Sequence, residues 1–201
     1  MDLFPPSPDD NLLPCDGTVN YLGKVLSRAE ADAFLSSLLG DVPWRHDEAI
    51  IFGKHITTAR QVAWYGDAGF FYTYSGTTKQ ALPWNAELLK LKALAEHRCK
   101  TRFNSCLLNL YRDGNEGMAW HSDDEKELGR NTTIGSLSFG AERRFCFKHK
   151  RAGHLVEIVL EPGSLLVMKD TTQTHWLHSL PKSRKVSEPR INLTFRTIVR
   201  L

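Results

Sequence analysis

The sequence predicts an α+β fold, mainly β: a sandwich or barrel-like stack of short strands with two helices packed on one face. Three observations predict it. Two helical signatures stand in the first half, the second half breaks into short apolar runs between turn residues, and 201 residues suffice for one core but are short for two. The first helix opens at Ser27, with Glu30 completing a capping box. Phe34, Leu35, Leu38 and Leu39 then make an apolar stripe that Gly40 is expected to end. The second helix is expected over 85–97, with Leu88, Leu91 and Ala95 at helical spacing. Strands are expected at 106–111, 133–139, 144–148, 155–160, 164–168 and 191–199, and the stretch 50–74 also reads as strands and turns. Residues 1–18, rich in Pro and Asp, are expected to be loosely ordered ahead of a single domain over 19–201.

Composition narrows the function classes. A hydrophobic fraction of 41% and a charged fraction of 24% are those of an ordinary folded protein, not a disordered one. No apolar run approaches the roughly 20 residues that cross a bilayer, so no membrane partner is expected. The start, Met-Asp-Leu-Phe-Pro-Pro-Ser-Pro, has neither the basic nor the apolar segment of a secretory signal. Cys15, Cys99, Cys106 and Cys146 are scattered without a C-x-x-C pair, which fits a reduced compartment and speaks against a zinc-thiolate site. The expected location is the cytoplasm, or the nucleus in a eukaryote. Net charge is +3, with basic clusters at Lys148, His149, Lys150, Arg151 and at Lys182, Arg184, Lys185. On charge alone these read as solvated turns, and a phosphate-tracking role needs other support.

Three segments carry chemistry. In His121-Ser122-Asp123, residues two apart on an extended chain aim an imidazole and a carboxylate at one point. A second histidine from a distant strand would complete a two-histidine, one-carboxylate face of the kind that suits non-haem Fe(II). His154, His175 and His178 are the candidates, and an acidic loop without metal is the plain alternative, since Asp123, Asp124 and Glu125 run together. The second segment, Arg190-Ile191-Asn192-Leu193-Thr194-Phe195-Arg196, alternates completely: Ile191, Leu193 and Phe195 face one way, the polar residues the other. Its arginine Cα atoms should lie roughly 20 Å apart, and long planar forks from either side could converge on a small dicarboxylate. A solvated edge strand is the alternative. The third segment places Asn109 and Tyr111 on one strand face.

Together these motifs resemble the AlkB family of Fe(II)/2-oxoglutarate dioxygenases. The match comprises N-x-Y-x-D-G at 109–114, H-x-D-D-E at 121–125, S-x-S-F-G at 136–140, H-S-L-P at 178–181 and R-x-N-L-T-F-R at 190–196, in order and spacing, and it covers the chain from about Val19 onward. The resemblance implies a double-stranded β-helix, or jelly-roll, core under a nucleotide-recognition lid at about 45–80. It implies Fe(II) held by His121, Asp123 and His178, so that the family selects His178 among the three candidates. It places 2-oxoglutarate against Asn109, Tyr111, Arg190, Thr194 and Arg196 with Asn192 nearby, and O2 as the oxidant. Within the family the sequence looks most like the branch that repairs alkylated DNA. Phe52-Gly53-Lys54 resembles a hairpin tip, followed at matching spacing by segments 65–69 and 72–76. This implies Phe52 as a wedge between base pairs, Lys54 and Arg60 against the strand or the vacated stack, Tyr72 and Tyr74 holding a flipped base, and Asp124 on its polar edge. Trp120 before the first metal histidine and Tyr at position 74 depart from better-known members.

The implied activity is oxidative demethylation of bases such as 1-methyladenine and 3-methylcytosine in single- or double-stranded DNA. It is coupled to decarboxylation of 2-oxoglutarate to succinate and CO2, with release of formaldehyde. RNA is left open as substrate, and a monomer is expected. The rivals are the same chemistry on RNA, protein or a small molecule, and a non-catalytic nucleic-acid-binding module on a jelly-roll scaffold.

Overall fold

Among the described residues, three α-helices and fourteen strands are arranged around two mainly antiparallel sheets. The structure is a computed structural model that describes residues 7–51, 54–68, 71–74 and 77–199, with backbone alone for 48–51, 54–56, 71–74 and 77–79. In chain order the elements are β1 (Thr18–Lys24), α1 (Arg28–Asp41), β2 (Arg45–Ile51), β3 (Lys54–Gly66), β4 (Phe71–Tyr74), β5 (Thr77–Gln80), β6 (Leu82–Pro83), α2 (Ala86–Cys99), β7 (Ser105–Tyr111), β8 (Met118–His121), β9 (Ile134–Gly140), β10 (Arg143–His149), β11 (Leu155–Leu160), β12 (Ser164–Lys169), α3 (Thr172–His175), β13 (Trp176–Leu180) and β14 (Arg190–Arg196). The large sheet runs β1-β12-β9-β14-β7-β3-β2, with β6 alongside β3; the small sheet runs β11-β10-β13-β8, and β4 pairs with β5. Sequence-distant strands interleave in both sheets, as in a jelly roll.

The large sheet is buried on both faces. On one, Leu108, Leu110, Ile191, Leu193 and Phe195 pack with Ala31 and Leu38 of α1 and Leu88, Leu91 and Ala95 of α2. On the other, Val19, Ile134, Leu166 and Met168 meet Phe147, Leu160 and Trp176 of the small sheet. Because side chains alternate along a strand, an apolar contact with the helices at every second residue turns the intervening polar residues toward the space between the sheets. β14 is therefore not a solvated edge strand but lies between β7 and β9.

Several boundaries differ from the sequence expectation for physical reasons. Ser27 caps α1 with both halves of its capping box present. Gly40 does not stop the helix, which runs on to Asp41 and ends at an extended Val42; Pro43 imposes that conformation on the residue before it. Asn85 caps α2 through the Leu88 N–H, and the helix outlasts His97 to close on a left-handed Lys100. β14 stops at Arg196, after which the Asn104 side chain captures the backbone of Ile198. Strands β8 and β13 carry no clear period-two pattern and form because partners exist for them. Residues 11–17, expected to be loose, are packed. Asn11 Oδ1 accepts the N–H groups of Leu13 and Val19, Leu13 is 3% exposed, and Trp176 Nε1 donates to the Cys15 carbonyl.

Candidate metal centre and the cavity around it

The small sheet brings two histidines together by register. His121, the last residue of β8, pairs directly with His178 of β13, and their ring centroids lie 4.2 Å apart. His121 Nδ1 faces the Ala119 carbonyl at 2.8 Å. A carbonyl only accepts, so the proton sits on Nδ1 and the Nε2 lone pair is free. That Nε2 lies 4.0 Å from Asp123 Oδ1. His178 is 4% exposed, with Phe145 and Phe147 beside its ring. Burial and the neighbouring His121 pull its pKa down to about 3, so it stands as a neutral imidazole with a lone pair to give, and its Nδ1 is buried without a hydrogen-bond partner.

Asp123 lies two residues past the end of β8, where no ladder holds it. Its N–H donates to Gln173 Oε1 at 2.9 Å, and its Oδ2 accepts from Arg196 Nη2 at 3.0 Å. Burial would raise its pKa, but Arg196, His178 and His121 outweigh burial and hold the carboxyl below its ordinary value. Ligand atoms of His121, Asp123 and His178 all lie within 4.8 Å of one another. Two imidazoles and a carboxylate, with Asp123 Oδ1 turned inward, are a donor set that a divalent cation fits. The other two candidate histidines lie elsewhere: His154 is exposed, and His175 stacks on His149 at 6.2 Å.

A second group, Cys15, Asp16 and His149, also gathers ligand atoms within 4.8 Å. Its histidine is wired in reverse. His149 Nδ1 accepts the N–H groups of Arg151 and Ala152 at 3.1 and 2.7 Å, so the proton sits on Nε2 and points at Asp16 Oδ2, 3.1 Å away. A ring held this way has no free lone pair for a cation.

The triad opens into a cavity of about 1050 Å³ between the sheets. Its floor is the polar face of β14 and β7. Register sets Arg190 beside Tyr111 and Asn192 beside Asn109, with Arg196 at the far end. Arg190 is 2% exposed, yet among the described residues its only side-chain hydrogen bond runs from Nη2 to Ser138 Oγ at 3.0 Å, and its Nε is buried without a partner there. It lies over the Tyr111 ring at 5.7 Å, and burial pulls its pKa down to about 10. A buried cation lacking an anion is costly; an anionic ligand in the cavity would remove that cost. Asn192 is spent on the scaffold, its Nδ2 donating to Ser136 Oγ and the Leu137 carbonyl and its Oδ1 accepting from Thr194.

The sequence comparisons agree with this geometry. The 2OG-Fe(II) oxygenase superfamily model matches residues 18–196. This chain belongs to that superfamily. Its relatives include human "DNA oxidative demethylase ALKBH2", 39% identical over 93% of this chain and 74% of the relative. They also include bovine "Alpha-ketoglutarate-dependent dioxygenase alkB homolog 3", 42% identical over 84% of this chain and 62% of the relative. Among solved structures, "The structure of OsALKBH1" matches with a TM-score of 0.60 at 15% identity, covering 89% of this chain and 97% of that one, which shows the fold.

The other expected site residues of this oxygenase are placed as follows. Arg60 lies in the cavity, its Nε donating to Asn109 Oδ1 at 3.0 Å and its Nη2 paired with Asp47 at 2.9 Å. Asp124 is exposed, accepts from Ser122 Oγ and does not line the cavity; the next residue, Glu125, does. Of the first basic cluster, Lys150 lies at the surface with its Nζ donating to Ser122 Oγ and the Gln173 carbonyl, and Lys148, Lys182, Arg184 and Lys185 are also exposed. Lys54 opens β3, and Tyr72 and Tyr74 lie on β4 opposite Lys79 and Thr77. Phe52 and Gly53 lie outside the described residues. Trp120 is 42% exposed. No helix among the described residues is long and apolar enough to cross a membrane. Sequence reasoning missed Gln173, Lys150 and Glu125. The first two have partners far away in sequence. Glu125 stood inside a quoted motif, but period-two reasoning ended with the strand.

Proposed function

We propose that this chain is an oxidative demethylase of alkylated bases in DNA. It holds Fe(II) through His121, Asp123 and His178, and it binds 2-oxoglutarate along Arg190, Tyr111, Asn109, Thr194 and Arg196. The observation that carries the reading is that one cavity holds both a cation-ready triad and a buried arginine lacking an anion. Iron with 2-oxoglutarate and O2 supplies, when bound, hydroxylation of an alkyl carbon coupled to decarboxylation of the cosubstrate to succinate and CO2. The rest belongs to the chain's own residues. Arg190 grips the far carboxylate of the cosubstrate in a fork geometry, and Tyr111, kept protonated by burial, donates to the same group. Arg196 occupies Asp123 Oδ2 and leaves Oδ1 for the metal. Phe145 and Phe147 keep water from the His178 side. Glu125, rather than Asp124, faces the substrate space, where a carboxylate favours a cationic lesion such as 3-methylcytosine. Once the alkyl carbon of such a cationic lesion is hydroxylated, the hydroxyl gives up its proton, the C–N bond breaks with its electron pair returning to the base nitrogen, and the carbon leaves as formaldehyde.

The DNA assignment is supported by the names of the relatives and by the ordered match over 52–76. Product analysis tests it, with 1-methyladenine and 3-methylcytosine in DNA and RNA oligonucleotides, single- and double-stranded, supplied with Fe(II), ascorbate and 2-oxoglutarate. Repaired DNA base, formaldehyde and succinate in equal amounts are expected. Succinate without base repair would move the substrate elsewhere, and neither product would leave a binding module.

A further inference from the structure

We infer that Gln173, backed by Lys150, is the positioning residue for Asp123 and thereby governs how tightly the metal is held; the inference rests on the metal reading above. The two histidines need no such help, because strand register fixes them opposite each other. Asp123 stands past the strand, and its backbone N–H is buried. The group that satisfies it is a side chain 50 residues away, Gln173 Oε1 at 2.9 Å. Both residues are largely buried, Asp123 at 6% and Gln173 at 7% exposure.

Gln173 is well placed to transmit position. It sits on α3, immediately before the strand that carries His178. That turn is itself pinned: the Thr172 hydroxyl accepts the Thr18 N–H at 2.9 Å and donates to the Lys169 carbonyl at 2.6 Å. Gly17 packs so closely on it that an added Cβ would lie 2.7 Å from Thr172 Oγ1. One rigid segment therefore carries both His178 and the anchor of Asp123. The amide cannot turn over without setting two donors against each other at Asp123, and its other end meets Met168 Sδ at 3.6 Å, a weak acceptor. Lys150 closes the arrangement from outside, donating to the Gln173 carbonyl at 2.9 Å and to Ser122 Oγ, beside Asp123, at 3.0 Å. A group that orients a metal ligand from outside the coordination sphere typically contributes 10–100-fold in metal affinity.

If Gln173 merely fills space, methionine of similar length serves as well. The test titrates the metal-free full-length protein with Co(II), following the visible ligand-field spectrum, alongside thermal melting without metal. Gln173→Met is expected to weaken Co(II) about 10–100-fold with a changed spectrum and a near-unchanged metal-free Tm. Gln173→Glu keeps an acceptor at the same reach and is expected to stay within a few-fold of wild type. Lys150→Met, with its head group nearer the surface, is expected to show a smaller weakening and serves if Gln173→Met does not fold. Wild-type affinity in Gln173→Met, or in a folded Lys150→Met when the former fails, overturns the proposal, as does an equal loss in Gln173→Glu. Wild-type protein that binds no Co(II), or binds it equally after Asp123→Ala, overturns the metal reading instead.

Discussion

Two clusters among the described residues gather ligand-type side chains within 4.8 Å, His121 with Asp123 and His178, and His149 with Asp16 and Cys15. They share a histidine beside an aspartate, yet their rings are protonated on opposite nitrogens. At His121 a backbone carbonyl takes the Nδ1 proton and frees Nε2; at His149 two backbone N–H groups occupy Nδ1 and leave the proton on Nε2, facing Asp16. The residue types alone do not distinguish a metal site from a clasp. What distinguishes them is the backbone group on the far side of the ring.

The largest effect that can break this comparison is loss of the metal. His178→Ala or Asp123→Ala should reduce turnover by more than about 10²-fold, beyond the usual cost of an outer-shell partner. Cys15→Ser should leave one bound Co(II) per chain and full turnover. Metal counting on dialysed protein decides: a second metal lost with Cys15 would mean that the His149 cluster binds after all.

A smaller effect tests the cavity floor. Arg190 is a buried cation whose Nε has no partner, so Arg190→Met removes a cost in the empty protein and a grip in the loaded one. Truncating one side of a buried charge pair costs about 2–5 kcal/mol, so KM for 2-oxoglutarate should rise about 30-fold or more. The metal-free Tm should hold or increase, because an apolar replacement for an unpaired buried charge is often neutral or stabilising. The thermal shift that 2-oxoglutarate gives the wild type should vanish. Unchanged 2-oxoglutarate dependence would remove Arg190 from the cosubstrate site.

Much of this was legible in the sequence because it is local. Complete alternation over 190–196 was enough to separate the core face from the cavity face, since a strand has only two sides. Asn85 and the Ser27–Glu30 pair announce their helices within four residues. Where the chain leaves regular structure, local rules end. Asp124 and Glu125 are neighbours in one loop, and period-two reasoning had nothing to say about which enters the cavity. Nor could local rules give the partners of Arg60, whose guanidinium bonds Asn109 and Asp47. Gln173 gave no sign at all, because its role exists only when a loop 50 residues away is brought against it. The resemblance chose His178 over His175; pairing of β13 with β8 supplies the physical reason.

The smallest effect concerns the clasp itself. Asp16 joins the N-terminal segment to the end of β10 through His149, next to Trp176, which donates to the Cys15 carbonyl. Its side chain is 53% exposed, so the bond contributes no more than a typical net hydrogen bond, about 0.5–1 kcal/mol. Asp16→Asn keeps an acceptor for the Nε2 proton and should be nearly silent. Asp16→Ala should lower Tm by about 1–4 °C for a chain of this length, with Co(II) affinity and KM for 2-oxoglutarate unmoved. The pair of variants separates the two tautomers. Were His149 protonated on Nδ1 instead, its bare Nε2 would already repel the carboxylate, and Asp16→Ala would stabilise the protein. A rise in Tm would therefore reverse the wiring assigned to His149 and reopen this cluster as a metal site, while a small fall keeps the division between the ring that donates a lone pair and the ring that donates a proton.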